Sequence, residues 1–264
     1  MSEELLVERE GAVCTLVIHR PEKRNLLTQS CLDRLIRVMA DLESEDAVRT
    51  VVIRGAGNRA FSAGYDIASL PAGPTSEAGE ALMDEPPLER ALRSISAFPY
   101  PVVAMINGLA LGGGCELAMA CDIRVMARSA GMGMPPARLG LVYPYEGLRR
   151  FLRVLGFSRA LELFLTARQY DSAACLRMGL VNELVEDEDL EDHTRRLAAA
   201  MAGHAPLSLR GMKSALYRIA DHTALPVEEV NAIRSLFVRS LRSEDMSEAK
   251  RAFLEKRPPR FKGR

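Results

Sequence analysis

Three consecutive glycines followed by a glutamate form the stretch of this sequence whose residue types are best suited to chemistry. Gly112, Gly113 and Gly114 stand directly before residues 115–121, which are compatible with a helix. The first N–H groups of a helix have no acceptor within it and carry partial positive charge, so they favour an anion or a developing oxyanion. Glycines also let another molecule approach the backbone. Glu116 falls in the first helical turn and therefore lies beside whatever binds there.

The same glycines also fit a tight crossing from a strand to a helix, in which they serve only close packing. The segment is not a dinucleotide fingerprint, because Leu117 stands where the third glycine belongs. It is not a phosphate loop either, because no Gly-Lys-Ser/Thr follows. Residues 102–106 form a short, apolar, partly β-branched segment before the turn at Asn107 and Gly108, so they predict a buried strand.

Composition restricts the class of protein. The chain has 264 residues, 48% of them hydrophobic, and a formal net charge of zero. This neutrality argues against a general nucleic-acid or membrane-surface role. No apolar segment reaches the roughly 18 residues of a membrane span, and the acidic start does not resemble a signal peptide. The odd number of scattered cysteines is typical of reduced thiols in a cytoplasmic protein, not of a disulfide framework or a zinc site. They are Cys14, Cys31, Cys115, Cys121 and Cys175.

Strands and helices alternate along most of the chain, and helices alone follow. The apolar patterns predict strands over 5–8, 13–19, 50–54, 102–106, 123–127 and 181–185. They predict helices over 28–42, 88–98, 115–121, 146–155, 158–165, 172–178, 188–202, 207–221, 226–240 and 243–256. Residues 61–67, 71–87 and 132–145 read as a loop, a mobile loop and an irregular segment. The order predicts an α/β core with an α-helical C-terminal part.

Four segments carry a recognisable signature. They are residues 20–25 (Arg-Pro-Glu-Lys-Arg-Asn), 61–67 (Phe-Ser-Ala-Gly-Tyr-Asp-Ile), 107–123 around the glycines, and 252–257 (Ala-Phe-Leu-Glu-Lys-Arg); residues 168–185 also follow the pattern. In them the chain resembles the crotonase superfamily, also called the enoyl-CoA hydratase/isomerase family, over nearly its whole length. The resemblance implies a spiral of ββα turns over 1–200. It also implies a helical oligomerisation region over 201–264, assembled as a homotrimer or a hexamer.

The resemblance further implies an acyl-CoA thioester substrate, with coenzyme A as part of the substrate and no separate cofactor. In this family two backbone N–H groups hold the thioester oxygen while an enolate forms; here they belong to Tyr65 and Gly113. Two convergent donors, one at a helix start, would stabilise that charge, and removing one such donor typically costs about 3 kcal/mol of barrier.

Residues that bind the substrate and its CoA are also implied. By position in the family motifs they are Lys23, Arg24, Leu26, Ala63, Asp66, Ile67, Gly112, Pro136, Phe253 and Lys256. The tail from residue 250 to 264 has seven basic residues against only Glu255. A basic patch on a neutral protein fits a polyanionic small ligand, although a solvated tail has the same composition.

The sequence departs from the hydratase pattern at one catalytic position. Hydratases of this family use two glutamates, of which the first is Glu116 here. The second belongs in a Gln-Pro-Glu-like stretch that reads Met134-Pro135-Pro136 in this chain. Hydration of a double bond needs water held by two groups, one of which delivers a proton to carbon. Pro136 cannot supply that chemistry, and no histidine replaces it, since the four histidines have neither metal nor triad spacing.

A second departure is Tyr143, which stands where the family usually has a small glycine-rich loop. It aligns with the active-site tyrosine of the methylmalonyl-CoA decarboxylases, a branch of the family that also keeps the first glutamate and lacks the second. A packed ring with a hydrogen-bonded hydroxyl is the alternative. Glu146 has two interpretations: it replaces the missing acid or base, or it is an exposed glutamate at the start of a helix. Asp122 is expected in a turn or cap.

Decarboxylation of a 2-carboxyacyl-CoA is the reaction these residues favour, because it needs an oxyanion hole but no strong base. Tyr143 would orient the carboxylate, and Met132, Met134 and Pro136 would supply apolar surface. Hydration or isomerisation through Glu116 is the alternative within the family. A non-catalytic acyl-CoA-binding protein is the alternative outside enzymes. The acyl group is not specified by the sequence.

Overall fold

The structure is a computed structural model that describes residues 3–65, 86–221, 226–257 and 259–260. Asp66, Ile67, His222 and most of the predicted 71–87 loop lie outside the described residues. Within them, strands and helices alternate up to residue 202 and three further helices follow, as the sequence predicted. No described helix is long and apolar enough to cross a membrane.

The larger sheet contains six strands within the described residues. They are β1 (Leu5–Glu10), β2 (Val13–Ile18), β3 (Thr50–Gly55), β5 (Val102–Ile106), β7 (Ile123–Ala127) and β10 (Glu183–Val185), in the order β1-β2-β3-β5-β7-β10. β1 pairs with β2 antiparallel, and every later pair is parallel. Parallel strands covered on both faces have nearly continuous apolar sequences, which is why β5 is buried at every residue.

A second, smaller sheet was not predicted. Its described strands are β4 (Ala60–Ser62), β6 (Leu109–Leu111), β8 (Gly131–Gly133) and β9 (Gln169–Asp171), in the order β4-β6-β8-β9. The loop predicted over 61–67 therefore begins inside β4, and the irregular segment predicted over 132–145 begins inside β8. Strands of three residues are too short to show alternation, and each pairs with a strand far away in sequence.

Helices cover the sheets at positions close to those predicted. Their bounds are α1 (Gln29–Glu45), α2 (Pro87–Ala97), α3 (Gly113–Ala120), α4 (Tyr145–Thr166), α5 (Ser172–Met178), α6 (Leu190–Ala202), α7 (Pro206–Asp221), α8 (Val227–Leu241) and α9 (Glu244–Leu254). The Thr28 hydroxyl caps α1 by accepting from the Cys31 N–H at 3.1 Å. Gly156, at φ 69° and ψ 174°, interrupts α4 where the sequence predicted a break between two helices. The five cysteines are free and buried.

Two buried asparagines connect the larger sheet to the loop that enters the smaller one. The Asn107 side chain accepts from the Gly55 N–H at 3.1 Å and donates to the Gly55 carbonyl at 2.9 Å. The Asn25 amide donates to the Ala60 carbonyl at 2.7 Å. A Cβ atom at Gly55 would lie 2.4 Å from that carbonyl, so only glycine fits. These contacts hold β4, and with it the segment that carries Tyr65, at the ends of β3 and β5.

Asp122 joins the sheet to the C-terminal helices. One carboxylate oxygen accepts from the Val102 N–H at 2.7 Å and from Lys213 of α7 at 2.6 Å. The other accepts from the Tyr217 hydroxyl at 2.9 Å. The residue therefore does more than close a turn, which was the role expected from the sequence: it anchors α7 to β5.

Candidate active site

A cavity of about 790 Å³ lies between the N-terminal ends of α2 and α3, the Pro136–Leu139 single-turn helix and α9. Most of the site residues predicted from the sequence line it. They are Lys23, Arg24, Leu26, Ala63, Tyr65, Gly112, Gly113, Glu116, Pro136, Tyr143 and Phe253. Lys256 does not line the cavity but is exposed just beyond α9, and Asp66 and Ile67 lie outside the described residues.

Tyr65 and Gly113 both line this cavity, and their backbone nitrogens lie close to the same adjoining backbone. A Cβ atom built on Gly113 would lie 3.3 Å from the Tyr65 nitrogen, and one built on Gly64 would lie 2.9 Å from the Gly113 nitrogen. Gly64 has φ +92°, a conformation that glycine adopts at no steric cost. Gly113 is the first residue of α3, so its N–H has no acceptor within the helix.

The glycine triplet serves packing as well as this donor pair. A Cβ atom at Gly114 would lie 2.2 Å from the Ser62 carbonyl oxygen, so α3 contacts β4 directly. The Gly112 N–H donates to the Gly133 carbonyl at 3.0 Å, which fixes the start of the helix against β8. The packing interpretation is therefore confirmed for Gly112 and Gly114, and the oxyanion interpretation stays a prediction for Gly113.

The predicted CoA-side residues lie on two adjacent segments. The Ala63 N–H donates to the Arg24 carbonyl at 2.9 Å, and the Leu27 N–H donates to the Gly64 carbonyl at 2.9 Å. The turn that holds Lys23 and Arg24 is thereby tied to the segment that leads into Tyr65. Basic side chains consequently stand on the cavity wall beside the candidate oxyanion donors.

Glu116 is buried, with 3% of its surface exposed, and both carboxyl oxygens have partners. The Tyr143 hydroxyl donates to Oε2. The Arg150 guanidinium donates from Nη1 to Oε1 at 2.6 Å. Arg150 also binds Glu89 of α2, from Nη2 to Oε1 at 2.8 Å. Four polar side chains from four segments thus meet at one wall of the cavity.

Burial dominates the electrostatics of this cluster. It raises the pKa of Glu116 to about 7, against the opposing effects of the Arg150 cation and the Tyr143 hydrogen bond. Burial and the adjacent Glu116 carboxyl group hold the pKa of Tyr143 well above its usual value. Tyr143 therefore remains a neutral hydrogen-bond donor, while Glu116 can exchange a proton near neutral pH. A group with that pKa is suited to acid or base catalysis.

The Tyr143 ring is held by a second set of contacts. Its centroid lies 5.5 Å from that of Phe164, which in turn packs edge-on against Phe151 at 5.1 Å. Gly147 leaves the space for this ring: a Cβ atom there would lie 2.6 Å from Tyr143 Cε1 and 2.7 Å from Glu116 Oε1. Tyr143 is thus a packed ring whose hydroxyl binds Glu116, which confirms the packing alternative, while its role as an active-site tyrosine stays a prediction.

Pro136, which the family resemblance places at the position of the second glutamate, lines the cavity. Pro136 forms that part of the cavity wall, next to Pro135 and Leu139. Glu146 is not among the residues that bound the cavity, and it pairs instead with Arg234 of α8 at 2.8 Å. Its predicted alternative use as a substitute acid is therefore unsupported by this geometry.

The basic tail is partly neutralised. Arg257 lines the cavity and also binds Glu248 at 2.6 Å and Glu255 at 2.5 Å. Phe253 lines the cavity too, although 55% of its surface is exposed. Within the ranges that the structure describes, no group of histidine, cysteine, aspartate and glutamate side chains could hold a metal ion.

Two site residues escaped the sequence analysis: Glu89 and Arg150. Glu89 stands three residues before Leu92, on the face of α2 that contributes buried side chains. Arg150 precedes the buried Phe151 in a helix that contains several other arginines. In the sequence, the sign of a site residue was a charged side chain among the apolar residues of a helix face. This sign alone does not distinguish a buried ion pair from a side chain whose end reaches solvent.

The chain is similar to known proteins over nearly its entire length. The model of the enoyl-CoA hydratase/isomerase family matches residues 8–264. A short-chain-enoyl-CoA hydratase of Clostridium acetobutylicum is 33% identical over 257 residues, 96% of this chain and 95% of that protein. A methylmalonyl-CoA decarboxylase of Escherichia coli is 32% identical over 252 residues, 95% of each chain. A solved methylmalonyl-CoA decarboxylase in complex with 2-nitronate-propionyl-CoA has a TM-score of 0.92 and 30% identity, covering 100% of both chains.

Proposed function

Since the chain belongs to the enoyl-CoA hydratase/isomerase family and has its crotonase-like fold, we propose that this acyl-CoA enzyme decarboxylates a 2-carboxyacyl-CoA such as methylmalonyl-CoA. One observation carries the proposal. The cavity holds Glu116 beside Tyr143 but presents Pro136 where a hydratase of this family needs its second carboxyl group. The similarity to a methylmalonyl-CoA decarboxylase supports the same choice.

The proposed reaction begins with loss of carbon dioxide. The bond between the α carbon and the substrate carboxylate breaks, and its electron pair moves into the thioester to form an enolate. The N–H groups of Tyr65 and Gly113 would donate to the enolate oxygen, which is where negative charge develops. The apolar surface around Pro136 solvates a charged carboxylate poorly. This surface would therefore favour conversion of the substrate carboxylate into neutral carbon dioxide.

The second step returns a proton to carbon. The electron pair of the enolate would take the proton of the Glu116 carboxyl group to form the new C–H bond, and a proton from water would restore that group. Tyr143 would orient the substrate carboxylate by donating to it the hydroxyl hydrogen that it donates to Glu116 in the structure. Coenzyme A leaves as part of the product, so the reaction needs no separate cofactor.

The substrate's coenzyme A is assigned to the basic side of the cavity. We propose that Lys23, Arg24, Leu26, Ala63 and Gly112 line its path. Phe253 and Lys256 would close that path from the C-terminal side, and Asp66 and Ile67 remain predictions outside the described residues. Guanidinium and ammonium groups are the side chains that bind phosphate oxygens best.

Hydration or isomerisation through Glu116 is the second candidate. This candidate is favoured by the pKa of Glu116, which burial raises to about 7, because a carboxylate with that pKa is also an effective base near neutral pH. The similarity to a short-chain-enoyl-CoA hydratase points the same way. A non-catalytic binding protein has less support, because the relatives reported above bear the names of enzymes.

A side-by-side assay separates the two reactions. We expect the unmodified protein to release carbon dioxide from methylmalonyl-CoA and to hydrate crotonyl-CoA slowly or not at all, since loss of a positioned acid or base typically costs on the order of 100- to 10,000-fold. Tyr143→Phe should slow decarboxylation while acyl-CoA still binds. Glu116→Gln should slow decarboxylation as well, because it removes the proposed proton donor, and it should do so less than Tyr143→Phe only if Glu116 merely positions a water or a proton. Rapid, Glu116-dependent hydration of crotonyl-CoA without release of carbon dioxide from methylmalonyl-CoA would refute the decarboxylase and favour the hydratase.

We also propose that the protein forms a trimer or a hexamer. Large apolar side chains are exposed along α7 and the C-terminal half of α4. They are Phe157, Leu161, Leu165, Leu207, Met212, Leu216 and Ile219. Within each helix most of these residues stand three or four positions apart and so share one face, and an exposed apolar helix face is typical of an interaction site.

A further inference from the structure

The buried Glu116 and the half-buried Glu89 share a single cation. Nη1 of Arg150 lies 2.6 Å from Oε1 of Glu116 and 3.3 Å from Oε2 of Glu89. Nη2 of the same guanidinium lies 2.8 Å from Oε1 of Glu89. The side chains of Arg150, Glu116 and Glu89 are 7%, 4% and 13% exposed. Both carboxyl groups therefore compete for one guanidinium away from bulk water.

Among the residues that the structure describes, the main elements packed around Glu116 add no further charge to this balance. The elements packed against α3 are α2, which supplies Glu89, α4, which supplies Arg150, and the strands β4 and β6, which contain no titratable side chain. The segment before α4 supplies Tyr143, and α3 itself supplies Cys115. Burial raises the pKa values of this phenol and this thiol well above their usual values, so both are neutral.

Two carboxyl groups and one permanent cation cannot all be charged in a buried cluster without a net negative charge. Burying an uncompensated charge is costly, and a carboxyl group avoids that cost by holding a proton. Glu89 is the more exposed of the two and takes two hydrogen bonds from Arg150, so it is the better ionic partner. Glu116 is then the group that keeps the proton.

We propose that Glu89 is a positioning residue for the proton transfer assigned to Glu116, an inference that rests on the proposed decarboxylation. By binding Arg150, Glu89 prevents the guanidinium from holding Glu116 as a permanent carboxylate. Glu116 thus retains a proton that it can give to the α carbon of the enolate, whose electron pair forms the C–H bond, and water then restores the proton.

The direction of each electrostatic effect agrees with this arrangement. The Glu89 carboxylate raises the pKa of Glu116, and the Arg150 cation lowers it. Without Glu89, the full charge of Arg150 would act on Glu116 and favour its ionised form. An opposite charge at this distance typically lowers the pKa of a carboxyl group by about 1 to 3 units.

The test measures the protonation of Glu116 in Glu89→Gln. Infrared spectra taken across a pH series, with Glu116→Gln subtracted, report the carbonyl stretch of the protonated Glu116 carboxyl group without requiring turnover. We expect the midpoint of this titration to fall by about 1 to 2 pH units in Glu89→Gln, and the descending limb of its decarboxylation profile to fall with it. Glu146→Gln, which removes a glutamate from the ion pair with Arg234 outside the cavity, should leave the midpoint unchanged.

The outcomes distinguish this inference from the proposed function. An unchanged infrared midpoint in Glu89→Gln overturns the inference even if decarboxylation is observed. A lowered midpoint supports it even if the unmodified protein releases no carbon dioxide, an outcome that refutes the decarboxylase instead. Loss of turnover at every pH with an unchanged midpoint would mean that Glu89 contacts the substrate, and this also overturns a positioning role. If Glu89→Gln does not fold, Arg150→Met must raise the midpoint, and a fall refutes the inference.

Discussion

Replacement of Gly147 by alanine tests whether the position of the Tyr143 ring controls the rate of decarboxylation. Gly147 lies in the first turn of α4, behind the Tyr143 ring. An added Cβ atom would stand 2.6 Å from Cε1 of that ring and 2.7 Å from Oε1 of Glu116. Both neighbours are held in turn, the ring by Phe164 and the carboxyl group by Arg150. The new methyl group therefore has no free space, and one of these side chains must move.

The size of the effect follows from opposing contributions. Alanine is favoured over glycine inside a helix by roughly 0.5 to 1 kcal/mol. Overpacking a well-filled interior typically costs about 1 to 3 kcal/mol. Carbon atoms normally approach to about 3.5 to 4.0 Å, so the ring must retreat by about 1 Å. We expect a net loss of about 1 to 2 kcal/mol in the free energy of unfolding, and a loss of turnover on the order of 10- to 100-fold, because a misplacement of this size can cost that much.

The measurement pairs Gly147→Ala with Gly211→Ala. Gly211 lies within α7, and a Cβ atom there would meet no other atom of the subunit within 4 Å. Gly211→Ala should therefore raise the free energy of unfolding by roughly 0.5 to 1 kcal/mol and leave turnover unchanged. Urea unfolding at one fixed protein concentration and initial rates with methylmalonyl-CoA give both quantities. If Gly147→Ala is as stable and as active as Gly211→Ala, the Tyr143–Glu116 contact does not control the reaction.

Three further predictions follow from the same structure. Burial in the folded state raises the pKa of Glu116 to about 7 from the ordinary value of 4.5, so the folded state binds this proton more tightly than the unfolded chain. The resulting contribution to the free energy of unfolding is about 3 kcal/mol; it is complete below about pH 4.5 and is lost as the pH rises through 7. Glu116→Gln should remove this part of the pH dependence in urea titrations, and an unchanged slope between pH 4.5 and 7 would contradict it. Lys256→Ala should weaken acyl-CoA binding in calorimetry with an unchanged circular dichroism spectrum, and equal affinity at moderate salt argues against a phosphate contact. Light scattering at micromolar concentration should give the mass of a trimer or a hexamer, and a monomer mass would exclude both.

The sequence predicted those elements whose cause is local. β5 and β7 have the bounds predicted for them, because each is a short apolar segment between turn residues. The start of α1 was visible in the capping residue Thr28 and in the apolar spacing that follows it. The sequence also predicts that a second catalytic carboxyl group is absent, because Pro136 cannot supply one whatever its surroundings, and this stays a prediction.

Features that depend on distant pairing were not predictable in the same way. β4 has three residues and no alternation of its own, and it forms because β6 lies beside it. Glu89 and Arg150 are 61 residues apart, and their ion pair exists because α2 and α4 both pack against α3. A single sequence shows that each residue is charged, but it does not show that the two charges compensate each other in the interior.

The geometry divides the candidate site into two parts that respond differently to substitution. The proposed oxyanion donors are backbone groups, fixed by glycines whose replacement would collide with backbone atoms, as at Gly64 and Gly114. The proton-transfer groups are side chains, which single substitutions can exchange without disturbing that frame. A chain of this architecture can therefore keep enolate stabilisation while the identity of its acid changes. In this chain the acid would be Glu116 alone, so the reaction depends on the groups that set its protonation: Tyr143, Arg150 and Glu89.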